Sequence, residues 1–225
     1  MRKAIVCLII GLVAVCLEIA AVPQSYGFEN GYNGFAGEAG YTTWRYLENA
    51  DGQPAPCLRI KGISGVAMEV ARAGFVGDFA AAGYGRLSMD LKIRSWFPPS
   101  GQPSPVPRIF IQRANDRSPW ARKAEGFTPP IGNWRKIYVD FNPNWTDAQA
   151  QAAGWQVEEF GLPHASFQET THNVFVTGFW LQVPGGAETH VLIDNYALGP
   201  ALITTIKNVP NQKQIILPKA TVRPK

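Results

Sequence analysis

The chain has 225 residues, of which 46% are hydrophobic and 17% are charged, and its formal net charge is +4. A chain of this length can bury enough apolar surface to fold without disulfide bonds, because larger domains bury a larger share of their surface. Basic and acidic residues nearly cancel between residues 28 and 200. No basic stripe of the kind that binds nucleic acid is present, so nucleic acid is not an expected partner.

Residues 1–27 have the pattern of a secretory signal peptide. Two basic residues precede the apolar run 4–17, which is too short for a transmembrane helix, since such a helix needs about 20 apolar residues. Cleavage is predicted after Ala21 or after Gly27. The alternatives are a lipoprotein that begins at Cys16 and an uncleaved anchor. We therefore expect a secreted or extracellular protein, in the periplasm or at the cell surface, with no membrane span in its mature form.

Removal of this segment leaves Cys57 as the single cysteine of the domain. No intramolecular disulfide bond is then possible. Cys57 stands in an apolar stretch, so we expect a small buried side chain rather than a reactive thiol.

The middle of the chain is predicted to form strands. Apolar residues at 87, 89, 91 and 93, and again at 137, 139 and 141, alternate with polar ones, which is typical of a strand with one buried face. Shorter strands are predicted over 58–60, 66–71 and 108–112. Two long apolar runs, 174–183 and 190–198, flank Pro184-Gly185-Gly186, and we expect them to pair as a hairpin.

One helix is predicted after residue 146. Thr146 and Gln149 fit a capping box, and Gly154 is placed to end the helix. Trp155 is expected to clamp this insertion to the sheet. Many short strands and almost no helix predict an all-β fold, a jelly-roll β-sandwich of two antiparallel sheets with one short helical insertion. The sandwich is assigned to residues 28–200, and residues 201–225 to a basic, loosely ordered tail.

No catalytic motif is present. The three histidines lack a metal-binding spacing, and there is no Gly-x-Ser-x-Gly elbow. No carboxylate pair is clustered on one strand in the way that glycoside hydrolysis would favour. We therefore expect no enzyme, although a glycan-active enzyme that uses carboxylates of the sandwich is an alternative.

Two of the seven tryptophans are candidates for a binding surface. The alternation of their strands places Trp96 and Trp180 on outer sheet faces, where an aromatic ring can stack on a sugar and polar side chains can bind its hydroxyl groups. The alternative for Trp180 is burial beneath residues 142–172. The expected ligand-binding set also contains the polar neighbours Arg94, Gln112, Tyr138 and Gln182.

Three segments carry a resemblance to a known family, over most of residues 28–200. They are the opening Phe28-Glu29-Asn30-Gly31, the middle with Gly77-Asp78-Phe79, Gly83-Tyr84 and Leu87-Ser88-Met89-Asp90-Leu91, and the ending Ile193-Asp194-Asn195-Tyr196-Ala197-Leu198. The chain resembles the galactose-binding-like family of carbohydrate-binding modules, and is similar to the laminin-type modules of secreted bacterial proteins.

The resemblance implies a jelly roll that binds a polysaccharide or glycan surface without catalysis. It also implies a structural Ca²⁺ with Glu29 and Asp194 as carboxylate ligands, which is sensible because Ca²⁺ takes hard oxygen ligands. The alternative for these two residues is a turn cap and a hydrogen bond to neighbouring residues. The alternative for the whole domain is a structural or adhesive extracellular module with a protein partner.

Overall fold

The computed structural model describes residues 22–31, 34–36, 44–52, 55–63, 65–96, 106–114, 117–127, 132–158, 160–182 and 188–201. Most of the predicted signal peptide and nearly all of the predicted tail therefore lie outside the described residues. Within these ranges no helix is long and apolar enough to cross a membrane. The elements in chain order are β1 (Gln24–Tyr26), β2 (Phe35–Ala36), β3 (Trp44–Glu48), β4 (Cys57–Ile63), β5 (Gly65–Val70), β6 (Arg86–Trp96), β7 (Arg108–Gln112), β8 (Trp120–Lys123), β9 (Arg135–Asp140), α1 (Asp147–Ala152), β10 (Gln156–Val157), α2 (Phe167–Thr171), β11 (Val176–Gln182) and β12 (Glu188–Gly199).

The strands form two antiparallel sheets. The first sheet has the order β3-β4-β12-β6-β9, and β1 pairs with the last part of β12. The second sheet has the order β10-β8-β7-β11-β5-β2. The predicted all-β sandwich of two antiparallel sheets is therefore confirmed.

The predicted hairpin between the last two strands is wrong. β11 lies in the second sheet between β7 and β5, whereas β12 lies in the first sheet between β4 and β6. Both strands are central in their sheets, and most of their described residues are buried. The composition of residues 174–183 and 190–198 indicates two buried strands, but it does not specify the strands with which each one pairs.

The core lies between the facing sides of the two sheets. The predicted alternation in β6 and β9 is confirmed, because the apolar members of both strands are buried there. Side chains of β5, β7 and β11 meet them from the second sheet. The main contributors are Ile60, Val66, Met68, Leu87, Met89, Leu91, Ile109, Ile111, Ile137, Val139, Phe179, Leu181, Val191 and Ile193.

A bulge in β12 keeps its apolar side chains on the core side. Val191 and Ile193 before the bulge, and Tyr196 after it, are all buried in the core. Residues 193 and 196 would point to opposite faces of an uninterrupted strand. The pairing with β6 shifts register between Asp194 and Ala197, and Asn195 there has a φ of 48°, a left-handed conformation that asparagine tolerates better than most residues.

Two short capped helices lie between β9 and β11. The predicted capping box of α1 is confirmed, with the Thr146 side chain accepting from the Gln149 backbone N–H. A second capping box between Ser166 and Glu169 begins α2, which was not predicted although the spacing is the same. Trp155 is buried against Phe167 at a centroid distance of 5.3 Å and donates to the Asp140 carbonyl at 3.2 Å, as the predicted clamp requires.

The sandwich begins ahead of Phe28, the expected start of the domain. β1 pairs residue by residue with the end of β12, from Gln24 with Leu198 to Tyr26 with Tyr196. The Tyr26 ring stacks on Phe35 at 4.9 Å. Cleavage after Ala21 leaves β1 in the protein, whereas cleavage after Gly27 removes it.

A chain that starts at Phe28 should be less stable than one that starts at Val22. It loses the β1–β12 pairing and the buried part of Tyr26, a loss comparable to a large-to-small core substitution, about 2–4 kcal/mol. For a domain of this size the melting temperature should fall by roughly 5–15 °C. Thermal unfolding of both chains by circular dichroism measures the difference, and equal melting temperatures would contradict a structural role for β1.

Candidate functional site

The structure divides the predicted ligand-binding residues between two surfaces. Arg94 on β6 and Tyr138 on β9 belong to the first sheet, whereas Gln112 on β7 and Trp180 on β11 belong to the second. The side chains of the remaining two residues of the set, Trp96 and Gln182, lie outside the part of the molecule that the structure describes. The four residues whose side chains are described therefore do not share one surface.

Trp180 lies on the outer face of the second sheet, as its alternation predicted, but it is only 7% exposed. Its ring stacks on Phe110 at 4.7 Å, and the edge contact with Phe160 at 6.0 Å covers it from outside. Gly178 makes this packing possible, because a Cβ there would collide with the Phe110 ring. The alternative of burial beneath residues 142–172 is the arrangement observed, and Trp180 offers no open ring face to a ligand.

Gln112 and Tyr138 both contact other side chains or backbone groups of the protein. Gln112 is buried, and its Nε2 donates to the Arg117 carbonyl at 2.7 Å, which closes the loop after β7. The Arg86 guanidinium lies 4.2 Å from the centroid of the Tyr138 ring and forms a bidentate pair with Asp140, with both distances 2.6 Å. One face of the Tyr138 ring is thus covered.

Two exposed aromatic side chains stand on the outer face of the first sheet, and neither was among the predicted site residues. Trp44 and Tyr46 of β3 are 60% and 39% exposed. They lie two residues apart on one strand, so their Cα atoms are about 7 Å apart and their side chains share a face. We call these two residues the aromatic pair.

The neighbouring strand places a cation beside each ring of the aromatic pair. Trp44 pairs with Lys61, and Tyr46 pairs with Arg59. The Lys61 Nζ lies 5.3 Å from the Trp44 ring centroid, and the Arg59 Cζ lies 5.0 Å from that of Tyr46, both within cation–π range. The rings are thereby held in place while most of the Trp44 surface remains open to solvent.

Carboxylates and one histidine hold these cations. Glu188 accepts from Lys61 at 3.0 Å, and Lys61 and then His190 lower the pKa of its carboxyl group through hydrogen bonds. Glu48 accepts from Arg59 at 3.3 Å and from Arg94 at 2.9 Å. Arg94, a predicted ligand-binding residue, is therefore part of the charged surroundings of the aromatic pair.

A loop after β3 crosses the same face and covers its centre. The Asp51 carboxylate pairs with Lys92 at 2.7 and 2.9 Å and accepts from the Trp134 indole at 3.3 Å. The Lys92 hydrogen bond lowers the pKa of Asp51. Beneath the loop, Cys57 is fully buried and donates to the Asp51 carbonyl at 2.8 Å.

Burial raises the pKa of Cys57 to about 12, with a further contribution from the negative charge of Asp194. A thiol with such a pKa is protonated and unreactive at neutral pH. The prediction of a small buried side chain at Cys57 is confirmed. The side chain lies on the outer face beneath the loop rather than between the sheets.

The two predicted calcium ligands stand in different surroundings. Glu29 is exposed in the turn after β1, whereas Asp194 is fully buried in β12, opposite Asp90 of β6. The Asn195 backbone N–H donates to Asp194 at 2.8 Å, and the Asn195 amide donates to Asp90 at 2.8 Å. Among the described residues, no three His, Cys, Asp or Glu side chains are grouped to hold a metal, so Ca²⁺ there would need backbone carbonyl ligands, which it accepts.

The fold is shared with proteins of known structure. The chain is similar to the family 11 carbohydrate-binding module of a cellulosomal cellulase of Clostridium thermocellum, with a TM-score of 0.53 and 10% identity over 81% of this chain and 96% of that chain. The same module from Clostridium thermocellum in complex with a β-1,3-1,4-mixed-linked tetrasaccharide gives a TM-score of 0.51 and 10% identity over 80% of this chain and 96% of that chain. The chain has the β-sandwich fold of carbohydrate-binding modules.

Further comparisons show how far this similarity extends. An exo-β-agarase structure matches with a TM-score of 0.51 and 9% identity over 79% of this chain, which spans only 25% of that chain. No protein-family model matches the sequence, and no curated protein matches it at a significant level. At these identities the comparisons establish the carbohydrate-binding-module fold but do not transfer a ligand or a residue role.

The Asp51–Lys92 pair should make stability depend on pH in the acid range. The folded protein lowers the pKa of Asp51 below its ordinary value of 3.8, so this stabilisation is complete above that value and is lost as the pH falls through the lower, folded pKa. A double-mutant cycle of Asp51→Asn and Lys92→Met, read by urea unfolding, should therefore show a coupling free energy at pH 7 that decreases as the pH is lowered below 3.8. A coupling that does not change over this range would contradict the ion pair.

Proposed function

We propose that this chain is a secreted, non-catalytic carbohydrate-binding module that holds a glycan on the outer face of its first sheet. The observation that carries the proposal is the exposed aromatic pair, Trp44 and Tyr46, beside a row of charged groups. Aromatic faces pack against the C–H surfaces of sugar rings, and nearby donors and acceptors bind the hydroxyl groups. Aromatic rings and hydrogen-bonding groups are both present on this face.

The arrangement of the pair supports binding rather than core packing. An exposed tryptophan loses favourable burial free energy, so its exposure on a strand needs a reason. Each ring of the pair is supported by a cation of β4, and each cation is held by a carboxylate. The rings are therefore largely ordered before a ligand arrives, which reduces the entropy cost of binding.

The neighbours in fold agree with this proposal. One solved module of the same fold holds a β-1,3-1,4-mixed-linked tetrasaccharide. Another neighbour, the exo-β-agarase, is an enzyme, and the chain corresponds to a quarter of it. The absence of catalysis in this chain is part of the proposal.

Secretion is supported by the sequence of the first 27 residues. Their basic start and short apolar run are typical of a signal peptide. The module would then act outside the cytoplasm, where polysaccharides and glycan surfaces are accessible.

Substitution of the aromatic pair should weaken glycan binding without unfolding the domain. Trp44→Ala and Tyr46→Ala should each raise the Kd for the glycan by about 30-fold, because truncation of a central binding aromatic costs about 2 kcal/mol. The melting temperature should change little, because Trp44 is 60% exposed and Tyr46 is 39% exposed on an outer sheet face. Isothermal titration with β-1,3-1,4-mixed-linked glucan and with agarose, followed by a glycan array, measures the affinity.

Phe175→Ala is the matched control. Phe175 is an aromatic residue of similar exposure, 47%, directly before β11 of the second sheet. It should leave the affinity unchanged. If Phe175→Ala weakens binding and Trp44→Ala does not, the glycan is held by the second sheet. Release of free sugars by the wild-type domain would show an enzyme, and no binding to any glycan would favour a structural or adhesive role.

A structural Ca²⁺ held by Glu29 and Asp194 is a further part of the proposal. Asp194 faces Asp90 across the β6–β12 pairing, and like charges in directly opposite positions destabilise a sheet. Lys136 lies 3.4 Å from Asp90, and a bound cation would offset negative charge at Asp194 as well. Millimolar Ca²⁺ should then raise the melting temperature relative to a sample in chelator, and Asp194→Asn should abolish the rise. Asp78→Asn, in an exposed turn, should retain it. No rise in the wild-type protein would refute the calcium site.

A further inference from the structure

His190 connects the supports of the two exposed rings. It lies on β12, directly opposite Lys61 of β4. Its Nε2 is 2.6 Å from the Glu188 Oε1, and that same oxygen accepts from Lys61 beside Trp44. Its Nδ1 is 3.0 Å from the Arg59 Nη2, and Arg59 lies beside Tyr46. One imidazole therefore touches both halves of the network that holds the aromatic pair.

The chemistry of the partners determines the protonation state of His190 in this arrangement. A guanidinium group has only donors, so the Nδ1 that faces Arg59 must be the acceptor and carries no proton. A carboxylate has only acceptors, so the Nε2 that faces Glu188 carries the proton. The contacts observed require the neutral imidazole with its proton on Nε2.

Protonation of Nδ1 would remove the acceptor that Arg59 uses. The imidazolium would then present a proton to a guanidinium and add a third positive charge between Arg59 and Lys61. Glu188 would still accept from Nε2, so the charged imidazole would compete with Lys61 for that carboxylate. His190 contacts Arg59 of β4 and Glu188 of β12, and it lies opposite Lys61 of β4. Arg59 is in turn paired with Glu48 of β3, which also accepts from Arg94 of β6.

We propose that His190 is a positioning residue of the glycan-binding face, and that its protonation displaces Arg59 from Tyr46 and weakens glycan binding. This inference rests on the proposed function, since it concerns the same face. Binding is then strong while the imidazole is neutral and weaker once its Nδ1 is protonated.

The pH dependence of affinity tests this role, with Gln as the conservative replacement. The Gln side-chain amide can accept from Arg59 and donate to Glu188, as the neutral imidazole does, but it does not titrate. For the wild-type chain, the Kd for mixed-linked glucan or agarose, whichever it binds, should rise about tenfold between pH 8 and pH 5.5, the loss of roughly one hydrogen bond to a charged group. His190→Gln should bind within twofold of wild type at pH 8 and show no such rise.

Two controls separate this role from a merely structural one. His172→Gln alters an exposed histidine at the end of α2 that contacts Asn144, and it should keep the wild-type pH profile. His190→Leu, which has neither donor nor acceptor, should bind weakly at both pH values. A pH profile that persists in His190→Gln, or is absent in the wild type, would overturn the proposal.

A measurement on the ligand-free protein tests the coupling of His190 to Tyr46 independently of glycan binding. In an NMR titration of the wild-type protein, the Tyr46 ring resonances should shift together with those of the His190 imidazole, and in His190→Gln they should not shift over the same range. If the wild type binds no glycan while Tyr46 follows His190, the proposed function is overturned and the coupling is supported. If Tyr46 does not respond to His190, the coupling is overturned whether or not glycan binds.

Discussion

The bulge at Asn195 in β12 is the constraint on which the rest of the first sheet depends. β12 pairs with β4 and β1 on one side and with β6 on the other, so its alternation sets the register of its neighbours. The extra residue keeps Ile193 and Tyr196 in the core. The same register turns His190 to the outer face, opposite Lys61. A one-residue slip would reverse every side chain, and both the core and the polar face would be lost.

The charged groups on the outer face of the first sheet are paired in a way that positions the two exposed aromatic rings. The carboxylates Glu48, Asp51 and Glu188 each contact at least one cation of a neighbouring strand. Isolated exposed ion pairs contribute little to stability, about 0–1 kcal/mol each. Their arrangement matters here because it fixes Lys61 and Arg59 beside the aromatic rings. The network is therefore better explained by the order it imposes on Trp44 and Tyr46 than by its contribution to folding.

Much of the fold was predictable, because it depends on local patterns. Period-two alternation located β6 and β9, and the spacing of Thr146 and Gln149 located α1. Pairing between distant strands was not predictable in the same way. The predicted hairpin of the last two strands failed since a short Gly- and Pro-rich connection is equally compatible with a hairpin and with a crossing between sheets. β3 was missed because it is only five residues long and carries charged residues among its aromatic ones.

The sequence by itself determined that the chain forms a β-sandwich and that Cys57 is buried. For Trp180 it left two alternatives open, an outer sheet face or burial beneath residues 142–172. Only the tertiary structure decided which aromatic rings remain exposed to solvent. Trp180 lies on an outer face yet is covered by Phe160, whereas Trp44 on the opposite sheet is left exposed beside Lys61. The physical reason is that alternation specifies the side of a strand on which a residue lies, while exposure depends on loops and strands that are distant in the chain.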